Sequence, residues 1–387
     1  MYQLTLKKGE ERRVQTHPWI YANEVQSIEG KDKQGSVAKV LAYDGRLVGY
    51  GFINHLSKII VRLLSRKDAT FDRNFFYERI LRAKEYRESL NYGEVYRAVF
   101  AESDELPGLI VDRYGDYLSV QFLCLGMDVI KPMIVDILVE IFAPKGIYER
   151  SDVAVRTKEG LPLTKGLLYG NVPERVEVLE NGSKMLVDII NGQKTGYFLD
   201  QKENRGGVMR YVEGKKVVDL FCNVGGFSMC ACRGGAREVT AVDISEPALE
   251  QVRASASLNG YEVNTVCSDV FQWLREERKA GHKYDVIVLD PPAFTKSKDT
   301  VKQAIAGYKD INIQAIKLLA ERGTLVTCSC SQHLTIPLFL DMITESAREA
   351  GIRLRLVELR IQSRDHATLL GTDEAIYLKV ATLQRID

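Results

Sequence analysis

Four aspartates stand at, or just after, the ends of four short apolar runs in the C-terminal half of the chain: Asp219, Asp243, Asp269 and Asp290. In an open α/β sheet, ligands bind beyond the carboxyl ends of the strands, so one carboxylate per strand end describes the rim of a binding site. Taken singly, each Asp could equally cap a helix or form a turn. The joint pattern is harder to explain that way. Asp219 opens the stretch DLFCNVGGF, in which Gly225 and Gly226 let the backbone turn tightly and approach a ligand. The stretch is not Gly-x-Gly-x-x-Gly and lacks the Gly-Lys-Ser/Thr of a phosphate loop, which argues against a dinucleotide or a triphosphate. Asp243, 24 residues on, could accept both ribose hydroxyls of an adenosine. Ser245 would cap the helix after it, with Pro247 in the first turn, and Asp269 could meet an adenine amino group. An acidic rim without phosphate chemistry suits an adenosine that carries a cationic centre, and S-adenosylmethionine is such a ligand.

The fourth run ends in DPPAF, residues 290–294. Two prolines stiffen the loop and remove N–H donors, holding Asp290 where a substrate base would enter. The fifth ends in TCSCS, residues 327–331. Strand alternation places Cys328 and Cys330 on one face if the strand persists through them, and a thiol beside a methyl donor is a candidate nucleophile. Two plain alternatives are a buried inert thiol and a metal site through Cys328, Cys330 and His333. Cys222, Cys230, Cys232 and Cys267 read as core or loop residues.

The elements that would position these groups are repeated βα units. Apolar, β-branched runs at 216–221, 238–242, 262–267, 284–289 and 324–328 alternate with amphipathic helices, the pattern of a parallel sheet. Runs at 354–359 and 375–381 lack a long helix between them and predict an antiparallel pair at one edge. Two segments precede this one. Residues 1–72 read as a small β-barrel, with strands at 37–41 and 59–64 and a tight turn at Asp44-Gly45. Residues 16–21, THPWIY, read as a loop or short turn in which Trp19 and Tyr21 either stack on bases or close a small core. Residues 73–190 read as a central α+β domain, with a helix over 73–92, strands at 95–101, 108–114 and 117–123, a helix at 128–142 and a strand at 146–150. The third domain spans 191–387.

Composition narrows the class. The chain has 387 residues, 45% hydrophobic and 27% charged, with net charge +1. That is too long for one core and too apolar for disorder. No basic-then-apolar leader and no long uncharged apolar run is evident, so neither secretion nor a membrane is expected. Seven cysteines, an odd count, suit reduced thiols in a cytoplasmic protein. Residues 1–70 hold 12 Lys/Arg against 7 Asp/Glu, and residues 71–180 hold 14 against 19. A basic first segment is compatible with phosphate contacts and equally with a solvated surface.

In these motifs the chain resembles the bacterial ribosomal RNA large subunit methyltransferase I family, and the resemblance runs over its whole length. His17-Pro18-Trp19 lies where that family has a PUA domain. Residues 102–116, ESDELPGLIVDRYGD, look like its middle-domain signature, and residues 194–205, KTGYFLDQKENR, like its entry into the catalytic domain. The resemblance implies a Rossmann-like class I methyltransferase domain behind a PUA barrel, S-adenosylmethionine as cofactor, ribosomal RNA as partner, no metal, and homodimerisation as an open question. It implies cofactor contacts at Phe198, Gln201, Asp219, Phe221, Asn223, Gly225, Asp243, Ile244, Asp269, Val270 and Asp290. The nucleophile position falls on Cys330, with Asp290 at the base edge, for methylation of cytosine C5. Two departures stand out. RNA cytosine-C5 methyltransferases carry a second Cys in the fourth-strand loop, where this chain has Ala293 and Phe294. Ala367 follows His366 where Pro is expected, and His366 reads as a buried structural histidine. The rivals are amino-group methylation of a purine with Phe294 stacked on the base, a non-catalytic RNA-binding assembly factor, small-molecule methylation, and a nicotinamide oxidoreductase.

Overall fold

The computed structural model describes residues 2–30, 35–295, 298–372 and 375–387. Two compact units share the chain. One holds Met1–Val178, Val187–Leu199 and Arg364–Asp373; the other holds Leu179–Leu186, Asp200–Ser363 and Glu374–Asp387.

In the first unit, a six-stranded sheet follows the order Trp19–Tyr21, Ile59–Ser65, Leu47–Ile53, Val37–Leu41, Tyr2–Leu6, Val25–Glu29. All its pairings are antiparallel except Tyr2–Leu6 with Val37–Leu41. Alternation decides the inner face: Leu4, Leu6, Ile20, Val40, Ile53 and Val61 are all fully buried. The expected turn is present, with Gly45 at φ +84° and its N–H on the Ala42 carbonyl. Residues 19–21 correct the sequence reading. They are a strand rather than a loop, because Trp19 and Ile20 pair with Arg62 and Val61.

A five-stranded sheet completes this unit, in the order Thr164–Gly170, Gly146–Ser151, Tyr117–Phe122, Leu109–Tyr114, Val95–Phe100. The helix Arg73–Ser89 covers it, capped by Asp72, whose carboxylate accepts the Phe75 N–H at 3.0 Å. The helix expected at 128–142 is two helices, Leu125–Val129 and Lys131–Phe142, with Pro132 in the first turn of the second. Pro supplies no N–H and so sits well at a helix start. Arg62 ties the two sheets: one guanidinium nitrogen donates to Glu102 and another to Glu159, both at 2.9 Å.

The second unit is a doubly wound sheet. Its strands are β1 (Lys216–Leu220), β2 (Glu238–Asp243), β3 (Asn264–Cys267), β4 (Tyr284–Leu289), β5 (Leu319–Ser329), β6 (Leu354–Arg360) and β7 (Lys379–Arg385). The order is β3-β2-β1-β4-β5-β7-β6. The first five strands run parallel, and β7 is antiparallel to both β5 and β6. The predicted edge pair is therefore present, with β7 inserted beside β5. Val217, Val218, Val286, Ile287 and Leu325 are buried to 1% or less, which is why these runs read as continuously apolar: helices cover both faces. Helices α1 (Gly226–Arg233), α2 (Glu246–Asn259), α3 (Val270–Ala280), α4 (Val301–Leu318) and α5 (Ile336–Ala350) follow β1 to β5 in turn. Among the described residues no helix is long and apolar enough to cross a membrane.

Candidate active site

The β1 carboxyl end turns sharply. Phe221 and Asn223 adopt φ of +60° and +50°, and Gly225 follows at +80° as the residue before α1. A Cβ at Gly225 would lie 2.9 Å from Val252, so both its backbone and its surroundings call for glycine. Asp219 is buried beneath this turn. Its Oδ2 accepts the Ser228 N–H at 2.9 Å and the Ser228 hydroxyl at 2.7 Å. Its Oδ1 is buried with no hydrogen-bond partner among the described residues. Burial pushes its carboxyl up to about 7, and the charges of Asp290 and Asp243 add to the rise against the Ser228 bonds.

Asp243 is engaged through both oxygens. Oδ2 accepts the Asn223 N–H and Oδ1 the Ser245 N–H, each at 2.9 Å. That brings the ends of β1 and β2 into one frame and leaves a second lone pair on each oxygen. Ser245 caps α2 as expected, with Pro247 in its first turn. Ile244, next to Asp243, is 71% exposed. Asp269 caps α3 through the Gln272 N–H at 3.0 Å, which was its plain alternative, and its other oxygen is not used in that bond. Val270 belongs to the buried core behind it.

At the end of β4, Oδ1 of Asp290 accepts the side-chain amide of Gln201 at 3.0 Å. Gln201 is in turn held by the Asn204 amide on its Oε1 at 2.7 Å. Phe198 belongs to the first unit, where the Lys194 ammonium lies 4.5 Å from its ring centre. The expected residues thus fall into a contiguous group at the ends of β1, β2 and β4, with Asp269 at β3 and Phe198 apart from it in the division of the chain.

Strand β5 stops at Ser329, and Cys330 follows, half-buried, with Sγ 4.0 Å from the Pro291 carbonyl oxygen. Cys328 is fully buried on the same apolar cluster. Burial pushes its thiol well above the ordinary range, and the Asp290 charge reinforces this, so it makes a poor thiolate. Among the described residues no group of three or more His, Cys, Asp or Glu is placed to hold a metal.

Two residues beside Cys330 were not singled out in the sequence. Tyr308 of α4 places its hydroxyl 2.9 Å from Ser331 Oγ and 3.5 Å from the Pro292 carbonyl. Lys379 of β7 donates to the Ser331 carbonyl at 2.6 Å. The available signal for Lys379 was a single charge inside the apolar run 375–381. In the first unit, Trp19 donates its indole N–H to Glu102 at 2.7 Å and lies under the Arg62 guanidinium, 5.2 Å away. That engagement supports its core-closing reading. His366 is buried on Asp365 at 2.9 Å and beside Phe100, the structural role expected of it.

Residues 163–380 match the model of an S-adenosylmethionine-dependent methyltransferase family, and residues 4–66 match a PUA-like domain. A protein of Aeromonas hydrophila named ribosomal RNA large subunit methyltransferase I is 42% identical over 97% of both chains. A protein of the same name from Shewanella amazonensis is 42% identical over 97% of this chain and 98% of its own. The chain belongs to this family of S-adenosylmethionine-dependent methyltransferases. The expected fold class, RNA methyltransferase activity and cofactor hold with it. A solved protein from Streptococcus mutans has the same fold, with a TM-score of 0.83 at 23% identity over 99% of this chain and 100% of its own. The residues present fit S-adenosylmethionine. A buried carboxylate oxygen at Asp219 without a partner among the described residues, beside a glycine-opened helix start and a second carboxylate at Asp243, suits a cationic adenosine ligand.

Proposed function

We propose that this protein methylates cytosine C5 in large-subunit ribosomal RNA, with Cys330 as nucleophile and Asp290 at the edge of the base. The observation that carries this reading is the position of Cys330: its sulfur lies beside the Pro291 carbonyl, in the loop that Asp290 opens. In this reading Asp243 holds the ribose hydroxyls, Asp219 faces the cationic end, and Ile244, Phe221 and Asp269 flank the adenine. The bound cofactor supplies an electrophilic methyl group.

The chemistry asked of the protein's own residues follows from the base. Cytosine C5 is a poor carbon nucleophile. Addition of the Cys330 thiolate to C6 turns C5 into an enamine carbon, which can take a methyl group. Loss of the C5 proton and expulsion of the thiolate then restore the ring. Asp290, steadied by Gln201, accepts from the amino group and from the proton that N3 takes up from solvent as the thiolate adds, and that proton leaves again when the ring is restored. The base must leave its stack to reach this site. The PUA-like domain and the basic balance of residues 1–70 support ribosomal RNA as the partner and a cytoplasmic setting.

Phe294 bears on the purine-amine alternative. Its ring lies 4.5 Å from Tyr308 and 6.1 Å from Phe271, packed against the core, which does not favour it as a stacking platform. Mass spectrometry of nucleosides from RNA treated with the protein and labelled methyl donor tests the proposal. Label in 5-methylcytosine is expected; label in a methylated purine would replace this reading with the amine one.

A further inference from the structure

Lys379 is 1% exposed, a rare place for an ammonium group. In the antiparallel pairing of β5 and β7 it stands opposite Ser329, one residue before Cys330. Its Nζ donates to the carbonyl of Ser331 at 2.6 Å and to that of Tyr377 at 2.8 Å. Both acceptors are neutral. Among the described residues no carboxylate pairs with this amine, and its third N–H has no acceptor. A buried charge without a counter-ion is costly, and buried cations are ordinarily paired.

We propose that the missing counter-ion is the Cys330 thiolate, and that Lys379 is the positioning residue that holds the Cys330–Ser331 segment and favours the charged form of the nucleophile. The assignment deepens the cytosine reading and rests on it for the word nucleophile. Among the described residues, the groups that face Cys330 include Cys328 two residues before it, Tyr308 from α4, and Lys379 from β7, with Asp290 beyond β4 facing Cys328. Tyr377, just before β7, turns its hydroxyl to Asp200 at 2.8 Å. Of these groups Lys379 alone carries positive charge. Cys328 and Tyr308 are pushed upward by burial and stay neutral, and the Asp290 anion works against a nearby thiolate. Burial draws the Lys379 amine down to about 8, and the Cys330 charge acts the other way. The attraction is mutual, so whatever the thiolate does for the ammonium, the ammonium does for the thiolate. The thiol proton passes to solvent, and the ammonium stays protonated throughout.

Peptide-resolved alkylation by iodoacetamide, followed against pH in the full-length protein without RNA, reads this directly. The wild-type Cys330 rate is expected to reach half its maximum at least one unit below the ordinary free-thiol value of about 8.5. A midpoint at or above that value overturns the ion pair without any variant being made. Lys379→Met should move the Cys330 midpoint up by about one unit or more and leave Cys267, which is exposed, unchanged; Lys379→Arg should keep the low midpoint. An unmoved midpoint in a folded Lys379→Met protein, with methyl-donor binding intact by calorimetry, also overturns it. The two readings fail separately. A low midpoint with label in a purine would sink the cytosine mechanism alone. A normal midpoint with label in 5-methylcytosine would sink the ion pair alone.

Discussion

The side-chain amide of Gln201 donates to Oδ1 of Asp290 at 3.0 Å, and Gln201 is itself fixed by the Asn204 amide. The carboxylate at the end of β4 is therefore aimed by a short relay from the segment that precedes β1. Removing an aiming group from a carboxylate costs about 1–3 kcal/mol where the groups are buried. Gln201→Ala should lower kcat for methyl transfer roughly tenfold to a hundredfold, and Asp290→Asn should lower it further. Single-turnover rates at saturating donor check this. Full activity in Gln201→Ala would show that Asp290 is oriented by something else.

Asp243 accepts two backbone amides and, in the proposed role, two ribose hydroxyls. Asp243→Ala should weaken methyl-donor binding on the order of a hundredfold, from about 1–3 kcal/mol in lost charged hydrogen bonds. RNA affinity should change little. Calorimetry with donor and filter binding with RNA separate the two, and equal losses would argue for general disorder of the β1 and β2 ends.

In the proposed role, Asp219 is expected to make donor binding depend on pH. Its carboxyl sits near 7 in the folded protein, raised by burial from an ordinary value of 3.8. A raised carboxyl binds its proton more tightly in the fold than in the unfolded chain. Its contribution to stability is therefore fully present below about 4 and is lost as pH rises through 7. A cationic ligand facing the unpartnered Oδ1 favours the ionised form, so donor affinity should rise severalfold between pH 6 and 8, with proton release on binding. Asp219→Asn should flatten that rise. Calorimetry in buffers of different ionisation enthalpy measures both, and a pH-independent affinity in the wild type would remove Asp219 from the cationic end.

Arg62 joins the two sheets of the first unit through Glu102 and Glu159, and Ser57 and Asn54 add bonds to Glu159. Arg62→Met would leave a buried carboxylate at Glu159 without its cation, at a cost of about 3–5 kcal/mol. For a unit of this size that lowers Tm on the order of 10 °C. Differential scanning calorimetry would show it, and an unchanged transition would mean that the network relaxes around the loss.

The catalytic half was legible because its signals are local. Strands β1, β2 and β4 are buried along most of their length, so they read as runs dominated by Val, Ile and Leu, and an aspartate, Asp219, Asp243 or Asp290, stands at or beside the carboxyl end of each. The fate of those end residues was not legible. Asp269 spends one oxygen on the cap of its own helix and Asp243 one on the nearby Ser245 amide, both local bonds, but the second Asp243 oxygen goes to the Asn223 amide, which the loop after β1 places there. In the first half, Trp19–Tyr21 is three residues long, too short to stand out, and both it and Tyr2–Leu6 form through long-range pairing. Asn181-Gly182 is by contrast a strong local turn signal: with φ of +49° and +79°, it joins the strands Val176–Glu180 and Ser183–Val187 in a tight hairpin. Lys379 was hidden because a charge inside an apolar strand has no local meaning until its carbonyl partners are known.

The central claim is a covalent bond between Cys330 and a pyrimidine, and RNA carrying 5-fluorocytidine tests it most directly. Fluorine at C5 cannot leave as a proton, so after methyl transfer the adduct has no path to release. Incubation with S-adenosylmethionine should give a denaturation-stable protein–RNA complex whose cross-linked peptide contains Cys330, and Cys330→Ser should give neither complex nor methylated product while binding the donor normally. Continued methyl transfer by Cys330→Ser, or a cross-link mapped to another cysteine, would contradict the account.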